Sequence, residues 1–417
     1  MEIFFKAKWA LFVFAVLYLP SMIYGQDAKP LALEIAVDIA MKNNPRVLAA
    51  QKELAAARGR SWVTWWLQDP RFEVEYEQIP TGKGLGSFGE RRFTFTQSID
   101  FPTNMLFKKK LANNDVDLNR MELAKARLSV RADVKIAYIN YLTKRDQVRL
   151  AQENLQLARE FLEKATTRYD VGEAPRLEVV RTRVAAALAE NDVTRAQSNL
   201  TAAQAALNAL LARPAGATVT VTDSLTYQTF ETSLSDLRQQ AFNVHPRLRA
   251  AGYQVGMASQ LRNLAWGNFL PSIEASAFKQ TIDGNSGFCG IQVGLSVPLW
   301  FPFRQRGNIQ EARGVLHASQ WRRQNIKNLL DADIESAYAA VQSDRKQVEK
   351  YIDTLLEQTE EVYRIALRSY EEGEVGYLQL LEAQQTLINV RRGYIDALGS
   401  YHNALSELER ATGISIE

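Results

Sequence analysis

A single cysteine, Cys289, and three scattered histidines, His245, His317 and His402, leave little material for redox or metal chemistry. One thiol forms no disulfide within its own chain and cannot build a thiolate metal site. It also lies far from the amino terminus, which excludes it as the acylated first residue of a mature lipoprotein. Charge of one sign is missing as well: Lys+Arg 50 against Asp+Glu 47 gives a formal net charge of +3, too weak to suggest a nucleic-acid partner. The charges are instead interspersed along helical faces, as on a solvated surface. After the first residues no run of 18 or more apolar residues occurs, so any membrane crossing has to be β.

Nucleotide motifs are lacking too. Gly84-Leu85-Gly86-Ser87-Phe88-Gly89 matches G-x-G-x-x-G in letters only. An alternating strand follows it, where a dinucleotide fingerprint needs a helix. It reads as a hairpin loop, and Thr81-Gly82-Lys83-Gly84 lacks phosphate-loop spacing. No cofactor and no catalytic residues are expected, and the chain is not read as an enzyme.

The 417 residues do contain order of other kinds. Lys6 and Lys8 precede an apolar run from Trp9 to Leu19, then Pro20, Ser21 and Gly25. That pattern predicts an export signal over 1–25, too short for a spanning helix. The remainder repeats with a shift of about 200 residues: Asn44-Pro45-Arg46-Val47 returns as His245-Pro246-Arg247-Leu248, and Ala132-Asp133-Val134 as Ala332-Asp333-Ile334. Tyr169-Asp170-Val171-Gly172 likewise returns as Tyr370-Glu371-Glu372-Gly373. We divide the chain into repeats 26–232 and 233–417. Each is predicted to hold a helix (about 31–67 and 234–267), two short strands, a very long helix (104–170 and 304–371), a glycine turn and a last helix (174–212 and 375–411). The Thr- and Val-rich stretch 217–231 joins the halves and is expected to pair as a short strand.

In the long helices Ile334, Tyr338, Val341, Val348, Ile352, Leu355, Val362 and Ala366 follow alternating steps of four and three, interrupted by Arg345 and Thr359. Val134, Tyr138, Tyr141, Val148, Leu155 and Leu162 do the same around Arg145. Such heptads predict coiled-coil packing.

The strands, expected at 70–78, 91–99, 271–279 and 290–298, alternate strictly. Phe72, Val74 and Tyr76 interleave with Glu73, Glu75 and Glu77; Ile273 and Ala275 flank Glu274; Ile291, Val293, Leu295 and Val297 interleave with Gln292, Gly294 and Ser296. An apolar side and a polar or acidic side suit a lipid-facing, water-lined barrel. Glu73, Glu75, Glu77 and Glu274 would then line the pore and attract cations transiently. Four strands cannot close a barrel, and open edges are not tolerated in lipid. A homotrimer would supply twelve. Trp62, Trp65, Trp66, Trp266, Trp300, Phe301 and Phe303 flank the strands, either as an interfacial girdle or, for the Trp62 group, as helix-core packing.

Taken with the two-fold repeat, the exits Gln97-Ser98-Ile99-Asp100-Phe101-Pro102 and Leu295-Ser296-Val297-Pro298-Leu299 and the paired Tyr-x-x-Gly turns make the chain resemble the TolC-type outer membrane factor family. Pro70-Arg71-Phe72-Glu73 and Arg91-Arg92-Phe93-Thr94 are similar to its heavy-metal, resistance-nodulation-division branch. That branch's N-terminal cysteine anchor has no counterpart here. The resemblance implies a mainly α fold with a small β part: a trimeric 12-stranded transmembrane β-barrel in the Gram-negative outer membrane, continued by a long α-helical barrel through the periplasm. It implies a passive exit duct for efflux or type I secretion, with a periplasmic adaptor (membrane fusion) protein and an inner-membrane transporter as partners. Tyr169, Gly172, Tyr370 and Gly373 would be tips that dock the adaptor, besides capping helices. Gln379 and Glu382 would hold the gate, against the alternative that Glu382 is a solvated surface residue. A periplasmic adaptor or a soluble coiled-coil scaffold is the competing assignment; an adaptor should carry a single hairpin, a scaffold no amphipathic strands.

Overall fold

Proline decides where the first helices end. In the computed structural model, which describes residues 31–297 and 301–415, each helix expected over 31–67 and 234–267 is two helices. These are α1 (Leu33–Asn43) and α2 (Pro45–Thr64), then α5 (Leu234–Val244) and α6 (Pro246–Gly267). Pro45 and Pro246 supply no N–H and push the preceding residue into extended backbone, so Asn44 (φ −67°, ψ 126°) and His245 (φ −61°, ψ 123°) become caps. Asn44 Oδ1 accepts from the Arg46 N–H at 3.0 Å and His245 Nδ1 from the Arg247 N–H at 3.2 Å. The repeated N-P-R and H-P-R motifs are therefore breaks, which the sequence reading missed. The expected export signal and Trp300 lie outside the described residues.

His245 caps only with Nδ1 unprotonated. Burial, reinforced by the Arg247 charge, lowers its pKa below 6.5, against a contact with the Arg410 carbonyl and the Asp333 carboxylate, which raise it. The unfolded chain therefore takes up this proton first, and stability should fall as pH drops from about 6.5 towards the lower folded value. Replacing His245 with Asn, the residue at the matching position 44, is expected to keep the cap, worth about 1 kcal/mol, and to flatten that slope. Thermal unfolding at pH 7.5 and 5.5 measures it; equal slopes in both proteins would refute the role. His402, also lowered by burial, titrates in both and cancels.

The long helices are α3 (Pro102–Asp170), α4 (Arg176–Leu210), α7 (Phe301–Lys350), α8 (Leu356–Glu371) and α9 (Tyr377–Thr412). At 1.5 Å per residue the 69 residues of α3 reach roughly 100 Å. A π-helical turn, Tyr351–Leu355, joins α7 to α8, so the helix expected over 304–371 runs through but changes phase midway. Above it the heptad residues Ile334, Val341 and Val348 are buried; within it Ile352 is exposed, and below it Thr359 stays buried while Val362 is exposed and the off-seam Tyr370 is buried. A wide turn shifts the phase of everything after it. It also lays Tyr351 against Gly393, where any Cβ would overlap the phenol ring.

The core lies among the helices and the segments packed on them. Val47, Leu54, Val130, Val134, Tyr138, Leu207 and Leu211 form one cluster, and Val341, Val348, Leu398, Tyr401 and Leu408 another. No strand forms in the 217–231 linker. Side chains strap it down instead: the Tyr141 hydroxyl donates to Val219 O at 2.8 Å, Arg145 Nη1 to Val221 O at 3.3 Å, Tyr401 to Gln228 O at 2.7 Å and Arg345 Nη1 to Phe230 O at 3.4 Å. The two polar interruptions of the heptads are thus matching clamps on the connection between the repeats. These donors satisfy the carbonyls of Val219, Val221, Gln228 and Phe230 in place of a strand partner.

Strands β1 (Arg71–Glu77), β2 (Glu90–Ile99), β3 (Ser272–Ile282) and β4 (Asn285–Ser296) form one antiparallel sheet in that order. The β3–β4 hairpin is longer than expected. Asp283 (φ 47°) and Gly284 (φ 82°) make a two-residue turn, the type favoured by strand twist, so Asn285 and Gly287, which fall between the expected strands 271–279 and 290–298, belong to β4. At the other end β4 stops at Ser296, short of the expected 298. Among the described residues no helix is long and apolar enough to cross a membrane.

Candidate channel wall and tunnel tip

Antiparallel pairing places opposed residues on one face. Glu73 faces Thr94, Glu75 faces Arg92 and Glu77 faces Glu90; Thr96 faces Ser276 and Ser98 faces Glu274; Ser276 in turn faces Gln292. All four pore-lining candidates therefore share one polar face. Hydrogen bonds run across it: Gln280 to Glu90 at 2.9 Å, Gln78 to Glu90 at 3.2 Å, and Thr96 with Ser276 at 3.1 Å. Arg92 pairs with Glu75 at 3.7 Å and Arg71 with Glu73 at 3.2 Å. Glu77 and Glu274 have no cationic partner among the described residues, so the face is net acidic. Phe278 also sits on it, because Gly290 opposite leaves room for its ring.

On the other face Phe72 pairs with Phe95, Phe95 with Ala277 and Ala277 with Ile291. This face has no cover among the described residues: Ile291 is 84% exposed, and Phe72, Val293, Leu295 and Val297 are exposed too. A contiguous apolar sheet face left in water is costly. Where α2 and α6 meet the sheet, Trp62, Trp65, Trp66 and Trp266 are exposed as well, which removes the helix-core explanation for the Trp62 group in the protomer. Lys109 Nζ stands 3.9 Å over Trp65 and the Arg313 guanidinium 5.4 Å over Trp266.

At the far end of the long helices both glycine turns close in the same way. Gly172 (φ 82°) and Gly373 (φ 79°) adopt the left-handed conformation. Gly172 N donates to Tyr169 O and Glu173 N to Arg168 O; Gly373 N donates to Tyr370 O and Glu374 N to Ser369 O. These are Schellman caps. The tyrosines are not equivalent, contrary to their treatment as a pair. Tyr169 is 42% exposed, Tyr370 only 7%. Tyr370 packs with Phe161, Tyr377 and Leu380, and its hydroxyl donates to Glu178 of α4, tying the second hairpin to the first. Burial, then that carboxylate, raises its pKa. Its ring is therefore unavailable as a docking surface.

Gln379 and Glu382 are exposed on the first turns of α9. Glu382 borders a groove of about 590 Å³ between α4 and α9, with Val184, Leu188 and Leu381. The α4 wall of this groove, Val180, Val184 and Leu188, belongs with Leu177 to an exposed stripe that is visible in its helical spacing. Val362 and Ile365 form a second exposed apolar patch on α8.

Similarity to known proteins extends over most of the chain. The outer membrane efflux protein family matches residues 80–213 and 237–414. The cobalt-zinc-cadmium resistance protein CzcC of Cupriavidus metallidurans is 24% identical over 396 residues, covering 93% of this chain and 91% of that protein. The pyoverdine export outer membrane protein OpmQ of Pseudomonas putida is 23% identical over 388 residues, 85% of this chain and 80% of its own. In fold, the Campylobacter jejuni CmeC outer membrane channel superposes with a TM-score of 0.78 at 18% identity, over 91% of this chain and 85% of that one.

Proposed function

The chain belongs to the outer membrane efflux protein family, and from that premise we propose that three copies close one duct, which carries cargo passively through the outer membrane and periplasm. The observation that carries this is the uncovered apolar face of a four-stranded sheet with two open edges. Lipid covers such a face, and sister strands satisfy such edges. A head-to-tail contact between identical subunits closes into a ring. The exposed α4 stripe and α8 patch are candidates for the helical part of that contact.

The acidic sheet face then lines the barrel lumen and favours cations over anions at the mouth. At the tip, Tyr169 and the two glycine turns present the surface for a periplasmic adaptor, and Tyr370 holds the hairpins together behind it. An inner-membrane transporter supplies the energy. Gln379 and Glu382, repeated three times around the tip, narrow the closed end, and like charges brought together there repel. The relation to a metal-resistance protein supports cationic cargo.

Detergent extraction, mass determination and planar-bilayer recording test this together. A detergent-dependent trimer with cation-selective conductance is expected. A monomer that stays soluble without detergent would overturn it. Within the trimer, Glu382→Gln is expected to weaken cation preference and, by removing the repulsion that opposes closure, to lower the conductance several-fold. If both are unchanged, Glu382 is only a solvated helix residue.

A further inference from the structure

The strands carry four cationic side chains, and they divide by face. Arg71 and Arg92 stand on the polar face, each paired with a glutamate. Arg91 and Lys279 stand on the apolar face: Arg91 opposes Tyr76 and Thr281, and Lys279 opposes Phe93 and Cys289. Neither has a carboxylate partner among the described residues. A charge on a lipid-facing surface without a counter-ion is expensive unless it reaches the headgroups.

Their height meets that condition. On this face the rows run from Ile99, Ile273 and Leu295 beside the helices to Tyr76, Arg91 and Thr281 beside the loops. Arg91 is eight residues along β2 from Ile99. At about 3.3 Å per residue and a tilt of roughly 40°, it stands roughly 20 Å above the row nearest the helices. An apolar band is about 25 Å tall, so Arg91 lies near its outer margin; Lys279, level with Phe93 and six residues along β3 from Ile273, stands roughly 15 Å up, and its long stem snorkels outwards from there. They are diagonal neighbours on adjacent strands, about 7–8 Å apart at that spacing, close enough to hold one phosphate between them. Arg91 is also oriented: its guanidinium lies 5.1 Å from the Phe88 ring and 5.0 Å from the Phe93 ring. Its Nε is enclosed without a partner.

We infer that Arg91 and Lys279 form a binding site for a phosphorylated lipid of the outer leaflet, one per protomer. This rests on the barrel reading above. Guanidinium supplies paired, directional donors to phosphate and the ammonium a second charge, while Phe93, Phe95 and Ile291 below them cover the acyl chains. The site would cement the rim to the surrounding lipid.

The test uses the delipidated trimer in detergent, offered either bis-phosphorylated lipid A or the same lipid with its phosphates removed, with adducts counted by native mass spectrometry. Wild type is expected to hold up to three phosphorylated lipids, at least ten-fold more tightly than the dephosphorylated form. Arg91→Gln with Lys279→Gln should lose that preference, and the lumenal Arg92→Gln should keep it. Millimolar inorganic phosphate should compete only weakly, because the acyl chains contribute. Equal retention of both lipids by wild type, or an unaltered preference in the double variant, would overturn the site. The wild-type comparison needs no variant to fold. Trimer mass and conductance, read on the same sample, separate loss of this site from failure of the barrel itself.

Discussion

Ile291→Arg is expected to prevent stable assembly in the outer membrane. Ile291 lies in the middle row of the apolar face, level with Phe72, Phe95 and Ala277, and is 84% exposed in the protomer. A lipid-facing arginine near the bilayer midplane costs about 2–4 kcal/mol, and three-fold repetition applies that cost three times to one barrel. Most of the variant should be lost from the membrane fraction, and the residual trimer should dissociate at clearly lower urea. The neighbouring substitution Gln292→Arg places the same charge on the opposite face, which already carries Arg92, and should be tolerated. Equal damage from both substitutions would show that the two faces are wrongly assigned.

Glu409→Ala should destabilise the helical part nearly as severely. Lys135 of α3 and Glu409 of α9 form a pair at 2.6 and 2.8 Å, with side chains only 20% and 5% exposed. Removing the carboxylate strands an ammonium in a poorly solvated seam, which costs about 3–5 kcal/mol. Replacing both, as Lys135→Met with Glu409→Leu, removes the desolvation penalty together with the attraction and should recover most of the loss. The neighbouring chain Arg46–Asp133–Arg410, with contacts at 2.5 and 3.3 Å, is more exposed and should contribute less. Urea unfolding of the four combinations measures the coupling. A loss under about 1 kcal/mol for Glu409→Ala, the range of a surface pair, would refute the buried role.

Neither member of that pair stood out in the sequence, for a physical reason. A lysine and a glutamate 274 positions apart leave no periodic signature. The same holds at the tip. Two Tyr-x-x-Gly motifs look alike, yet Tyr370 is buried because Glu178 and Phe161 reach it from the other hairpin, and Tyr169 has no such cover. The π-turn was illegible too, since the heptad spelling continues through Ile352 and Val362 while the helix phase beneath it changes. The proline breaks were readable in principle. Asn44-Pro45 and His245-Pro246 were noticed for their recurrence, and their consequence for the backbone went undrawn.

What residue order determined is therefore everything encoded at short range. Strand alternation assigned each glutamate of β1 and β3 to the polar side, because successive side chains point oppositely whatever the surroundings. Glycine at the turns placed the tips, because positive φ excludes most other residues. The absence of long apolar helices together with the presence of amphipathic strands identified the membrane element. Tertiary structure alone decided the choices between local equivalents: which tyrosine is enclosed, which arginines clamp the linker, which cations of the sheet find a carboxylate and which do not. Those outcomes depend on groups brought together from distant parts of the chain, where burial and pairing are set by packing and not by the identity of the neighbouring residues.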